Sequence, residues 1–266
     1  MKRRYKSQSY FLDTTPASVP HLVISETIKD ILKIAEKELG KKAKDMDVID
    51  VGCGWGEYAF ELEKRVKSVT GVEPYKKLYL TAEENRKKRK SKVKFYNKLI
   101  ENFSTTKKYD LALSLTIVEH MPNAELSNAH IINLLKDGGM MYLTAPNKLW
   151  PKEPHYELYF LNWLPLSLAN IYLKASGKGN SFEDASYART YFGMKKLFNP
   201  LNCRYYFWLP DSNKAYLGLG SGGRASVFIR NTGISLIKKM PLFWAISKGF
   251  IMVIVKKKSE KKRSKN

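Results

Sequence analysis

"DVGCGWG", residues 50–56, sets three glycines on alternate positions at the end of the apolar run "VIDV". Alternate glycines beside a strand let the chain turn sharply and let a ligand lie against bare backbone. The spacing decides which ligand. A dinucleotide fingerprint needs G-x-G-x-x-G, with pyrophosphate facing a helix N-terminus. Here Gly56 comes one residue early and Glu57 stands where the third glycine belongs. A carboxylate in that place repels pyrophosphate, which disfavours NAD and FAD. The chain also lacks G-x-x-x-x-G-K-[ST], so the loop is not that of a phosphate-cradling NTPase.

The segments around the loop alternate in periodicity. "MDVIDVG" (46–52) predicts a buried strand, "EYAFELEKRVK" (57–67) a helix and "SVTGVEP" (68–74) a second strand. "YKKLYLTAEENRKKRK" (75–90) is helical, "VKFYNK" (93–98) extended, "YDLALSL" (109–115) a strand, "AELSNAHIINLLK" (124–136) a helix and "GGMMYLTAP" (138–146) a strand. Strands separated by helices of this length imply a parallel sheet covered on both faces. Upstream, residues 25–39 carry helical spacing, with Ser25 as the expected cap and Gly40 as the stop. After Pro146, residues 147–187 are rich in Pro, Trp, Tyr and Leu and break the alternation, as an insertion after strand five would. "TYFGMKKLF" (190–198) resumes as a helix, "CRYYFWLP" (203–210) as a strand and "GFIMVIVKKK" (249–258) as the last strand, while 211–239 reads as a loop. The expected organisation is an N-terminal helical segment (1–44), one α/β domain (45–256) with the insertion, and a basic tail (257–266).

The 266 residues suit one sizeable core, and 44% hydrophobic and 12% aromatic content fits a globular chain. The formal charge of +22, from 47 Lys and Arg against 25 Asp and Glu, either draws phosphate-bearing partners or is a solvated surface. Cys53 and Cys203 have no metal-ligand spacing and imply no disulfide framework, so a reducing, cytoplasmic setting is expected. The start, "MKRRYKSQSYFLDTTP", lacks the apolar stretch of a secretory leader. No window reaches the ~18 apolar residues of a membrane span.

The glycine loop matches D-x-G-x-G-x-G at every position and resembles the first motif of class I S-adenosylmethionine-dependent methyltransferases. That resemblance covers about residues 46–146. It implies a Rossmann-like, doubly wound seven-stranded sheet whose last strand is antiparallel, with S-adenosyl-L-methionine as cofactor. This cofactor has no phosphate but carries an ammonium and a sulfonium, so Asp50 and Glu57 near the loop suit it. The resemblance implies that Gly52, Cys53, Gly54 and Gly56 line the cofactor, and that Glu73 in "GVEP" takes the ribose hydroxyls, as a carboxylate can in bidentate fashion. "KLIENF" (98–103) resembles the segment after strand three, where an acidic residue contacts the adenine. That acidic position falls on Leu99, which leaves the Ile100 backbone or Glu101.

"SLTIVEHM" (114–121) resembles the motif after strand four in the small-molecule branch, including the O-methyltransferases of quinone biosynthesis. It adds Leu115 and Thr116 to the cofactor site. Some of that branch carry a further carboxylate where this chain has Thr116 and hold a divalent metal with the set, so no metal is expected here. The chain lacks N/D-P-P-Y/F/W, the family's signature for methylating amines of bases. His120 is the first candidate for general base; it could instead cap the next helix or order the loop, with Glu119 orienting it. His155, beside Glu153 and Glu157 among Trp150, Tyr156, Tyr159, Phe160 and Trp163, is a second base or a ligand for a substrate hydroxyl, unless this stretch is only a packed lid. The stretch resembles methyltransferases of polysaccharide or glycolipid synthesis. The reading is therefore an enzyme that O-methylates a sugar, glycolipid or other small acceptor. An RNA methyltransferase or a non-catalytic cofactor-binding subunit are the alternatives. The basic runs 86–94 and 256–266 should lie opposite the cofactor, where they could touch an anionic membrane at its inner face.

Overall fold

The computed structural model describes residues 19–210 and 224–258. The leader reading, the first part of the 211–239 loop and most of the basic tail fall outside them. Seven strands form one sheet in the order β3-β2-β1-β4-β5-β7-β6. They are β1 (Asp47–Val51), β2 (Ser68–Val72), β3 (Lys94–Tyr96), β4 (Tyr109–Leu115), β5 (Leu135–Pro146), β6 (Cys203–Phe207) and β7 (Gly249–Lys256). β1 to β5 pair in parallel, and β7 runs antiparallel to both β5 and β6.

Side chains of one strand alternate between faces, and the alternation builds two cores. Val48, Leu111, Leu113, Tyr142 and Val253 pack under helices α1 (His21–Leu39), α2 (Glu57–Glu63) and α3 (Lys76–Arg89). Ile49, Ala112, Met141, Leu143 and Met252 point the other way, against α4 (Ala124–Leu134), α6 (Tyr191–Phe198) and Ile237 of α7 (Arg224–Lys239). Both faces of the sheet are covered, so its strands read as nearly unbroken apolar runs.

Two expectations need correction. α1 starts at His21 behind Pro20, not at Ser25, because Pro20 with ψ 134° ends the extended chain there and Ile24 adds a buried turn. Gly40 does stop it, in the left-handed conformation at φ 61°. The second correction is α7, which fills much of the segment read as a loop. Its half-buried Ile234 and buried Ile237 keep helical spacing behind a Gly-rich lead.

The insertion has its own small core of Tyr156, Leu158, Leu161, Ala169, Leu173, Phe182 and Ala185, and contains helix α5 (Leu166–Ala175). Asn147 ties its root to the approach to β7. Its side-chain amide donates to the carbonyls of Ala245 (2.9 Å) and Ser247 (2.8 Å), and its backbone N–H to that of Lys248 (3.1 Å). No helix among the described residues is long and apolar enough to cross a membrane.

Candidate active site

In a doubly wound sheet, ligands sit beyond the carboxyl ends of the strands, and Asp50, Glu73, Glu119 and His120 follow or end strands there. The 52–56 loop leaves β1 with Gly52, Gly54 and Gly56 at φ 67°, 55° and 90°. The N–H of Gly52 donates to the Val72 carbonyl (2.8 Å), which joins the loop to the end of β2. A Cβ on Gly52 would come within 2.5 Å of the Ile117 side chain. A Cβ on Gly54 would meet nothing within 4 Å, so the loop leaves open space beside bare backbone there.

Glu73 closes one side of that space. Its carboxylate accepts from the N–H of Gly54 (2.8 Å) and of Tyr75 (2.9 Å). Burial lifts it to about 7, although the two amides pull the other way. Asp50, 3% exposed, keeps one oxygen without a hydrogen-bond partner. Burial first, and the Glu73 charge second, push it up to about 7. Two buried acids beside a glycine loop, with no cation next to them among the described residues, are the electrostatic complement of a small organic cation bearing hydroxyls. The residues present therefore fit a nucleoside sulfonium.

Further along, Ile100 is buried in a 3-10 turn, and Ser127 Oγ donates to the Glu101 carboxylate, which turns it toward α4. Leu115 ends β4. Thr116 adopts φ 51° with its N–H donating to the backbone and hydroxyl oxygens of Thr144 (2.9 and 3.0 Å).

The chain brings together Glu119 and His120, after β4, and His155 of the insertion. His120 Nδ1 donates to the Asp184 carbonyl (2.6 Å), which fixes the tautomer with the lone pair on Nε2. Burial and the neighbouring His155 lower it to about 3, so it is neutral at neutral pH. His155 Nδ1 meets Glu153 Oε1 at 2.6 Å, and its Nε2 stands 3.9 Å from Glu119 Oε1. These carboxylates raise His155 against the opposing effect of burial. Among the described residues neither oxygen of Glu119 has a hydrogen-bond donor, and burial lifts it to about 7. Ligand atoms of Glu119, His120 and His155 lie within 4.8 Å of one another, a donor set that could hold a divalent cation. Glu157 is not part of this group: it is exposed, at φ 54°, and pairs with Lys152 (3.4 Å).

Sequence reasoning missed three parts of this arrangement. They are the Asp184 carbonyl on His120, the Tyr187 N–H that donates to the Glu119 carbonyl (3.1 Å), and Ile117 under Gly52. The first two act through backbone groups, which leave no residue-type signal. A separate cavity of about 460 Å³, lined by Lys41, Asp110, Lys136, Arg204 and Lys256, lies at the opposite edge of the sheet.

Strand order 3-2-1-4-5-7-6 with an antiparallel seventh strand, a glycine loop after β1 and an acid closing β2 define a class I S-adenosylmethionine-dependent methyltransferase. The family model described as "Methyltransferase domain" matches residues 23–191, and the chain belongs to that family. Its cofactor is S-adenosyl-L-methionine. The ubiquinone biosynthesis O-methyltransferase of Pelagibacter ubique (strain HTCC1062) is 30% identical over 146 residues, 54% of this chain and 60% of that one. A protein of the same name from Rickettsia akari (strain Hartford) is 25% identical over 126 residues, 45% and 49% of the two chains. The chain thus spans about half the length of the curated relatives it matches. Among solved structures, the plantazolicin methyltransferase BamL in complex with a triazolic desmethylPZN analog and SAH superposes with TM-score 0.58 at 17% identity, over 94% of this chain and 88% of that one. YcgJ from Bacillus subtilis gives 0.53 at 14%, over 88% and 99%. These two likenesses concern the fold.

Proposed function

We propose that the protein O-methylates a hydroxyl of a small acceptor, with His155 as the general base. The observation that carries this is the Glu153–His155 pair, which the insertion sets beside Glu119, two residues beyond the Ile117 that packs on the glycine loop. When bound, S-adenosyl-L-methionine supplies a methyl group already activated by its sulfonium. The protein aligns the acceptor oxygen and takes its proton. Glu153 holds the His155 ring by Nδ1, which directs Nε2 to the acceptor. His120, lowered to about 3, is too weak a base to compete and orders the loop instead.

The relatives' names favour a phenolic ring as acceptor, while the aromatic insertion suits a sugar or glycolipid as well. Two buried free thiols fit a reducing, cytoplasmic setting. Host lysate given cofactor with a labelled methyl group should yield alkali-stable label in a small-molecule or lipid fraction. Label in RNase-sensitive material would replace this reading with an RNA methyltransferase, and cofactor binding without any label would make the chain a non-catalytic subunit. The Glu119, His120 and His155 set favours one second reading, in which a divalent cation there acidifies the hydroxyl. Activity lost to a chelator and restored by a divalent metal would put that reading in place of the base.

A further inference from the structure

We propose that the insertion and the approach to β7 form one docking surface for an anionic lipid bilayer. The insertion exposes Tyr159, Phe160 and Trp163, whose rings follow one another at 6.2 and 4.7 Å, and then Leu168 and Ile171 of α5. The approach to β7 exposes Met240, Leu242 and Ile246. A cavity of about 410 Å³ lined by Trp150, Tyr159 and Lys248 spans the gap between the two segments, and the Asn147 amide joins their roots. Both leave the carboxyl edge of the sheet, since Pro146 pairs with Gly249.

Charge identifies the occupant. Residues 158–182 contain no Asp or Glu, only Lys174 and Lys178. Residues 231–248 again contain no acid but carry Lys238, Lys239 and Lys248. The two carboxylates that line the cavity, Glu153 and Glu157, are paired with His155 and Lys152. Exposed aromatic rings at headgroup depth, aliphatic tips beneath them and lysines reaching back to phosphates are what a bilayer interface takes. A second copy of the chain would instead bring the same lysines against each other. The surface lies at the opposite edge from Lys256, where β7 ends, so the proposed contact belongs to these apolar segments. It stands apart from the choice of acceptor.

The test is flotation of the full chain with phosphatidylcholine vesicles, with and without phosphatidylglycerol. The protein should float with the anionic vesicles and hardly at all with phosphatidylcholine alone. Trp163→Ser with Ile171→Ser should weaken that binding roughly tenfold and leave cofactor affinity unchanged. A chain ending at Lys258 should bind as the whole chain does. Equal binding by the double variant, loss of binding on removing the tail, or a dimer that the double variant dissociates would each overturn the proposal. A variant that fails to fold is bypassed by tryptophan fluorescence. Lipids brominated in the acyl chain should quench the wild type and quench Trp163→Phe less, and equal quenching would also overturn it.

Discussion

Asp47 and Asp50 stand three residues apart on β1, one at each edge of the sheet, and live under opposite electrostatic rules. Asp47, at the amino edge, is held at about 2 despite partial burial, by Ser68 Oγ and by Lys107 and Lys136. Its neighbour Asp110 accepts from Lys41 and Lys136 (2.8 Å each) and from the Asp47 N–H. Asp50, at the carboxyl edge, is pushed to about 7, with no cation of the described residues beside it. A chain with so many lysines neutralises its acids readily, yet among the described residues it withholds them from Asp50 and Glu73 and sets only His155 beside Glu119. The lesson is that the unneutralised carboxylates, more than the basic surface, mark where cationic and proton-transfer chemistry takes place.

Each prediction tests that contrast. The largest effect belongs to the base: His155→Ala should lower turnover by ~10²–10⁴-fold and leave cofactor affinity, measured by calorimetry, within about twofold. His120→Ala losing more turnover than His155→Ala would reverse the assignment. Next, Gly54→Val should fill the open space beside the loop and weaken cofactor binding by about a hundredfold, some 2.8 kcal/mol. Its melting point should fall as well, since Val is strained at φ 55°, so the affinity is compared with that of Gly54→Ala, which shares the backbone strain with a smaller side chain. Asp50→Asn should cost about tenfold in cofactor affinity, whereas Asp47→Asn should leave that affinity untouched.

The two edges should also separate by pH. Asp50 and Glu73 have folded values raised above their unfolded ones, so their contribution to apo-protein stability is full below about 4. It is lost as pH rises through about 7. Cofactor affinity should climb over the same upper range, as the acids ionise to meet a cation. Asp47 is the reverse case: its contribution is present above about 4 and is lost as pH falls through about 2. The smallest effect is expected there, since Asp47→Asn removes exposed-lysine pairs worth ~0–1 kcal/mol at neutral pH. Denaturant melts across pH, with and without Asp50→Asn, check both signs.

The cofactor half was legible because its information is local. Three glycines, an acid at the end of the next strand and alternating periodicities all lie within short windows, and the sheet follows from them. The acceptor half was legible only as a composition. His155 could be singled out, but its pairing with Glu119 joins residues far apart in the chain, and Asp184 and Tyr187 act through backbone groups. The helix α7 was hidden for a local reason, since a Gly-rich lead reads as loop until the turns behind it pack Ile237.

Asn147 has a kinetic consequence. Its amide and backbone N–H bind three stations of the β7 approach, at Ala245, Ser247 and Lys248, and the next N–H, of Lys148, donates to the Arg189 carbonyl (3.0 Å). Entry and exit of the insertion are thereby riveted to each other and to the sheet. A door hung on such a frame does not swing as a panel, because each rivet broken costs ~0.5–1.5 kcal/mol. The aromatic run from Tyr159 to Trp163 takes no part in that frame and is tied back only within the insertion, by the Phe160 N–H on the Pro151 carbonyl (2.6 Å), so it can shift without breaking a bond at the frame.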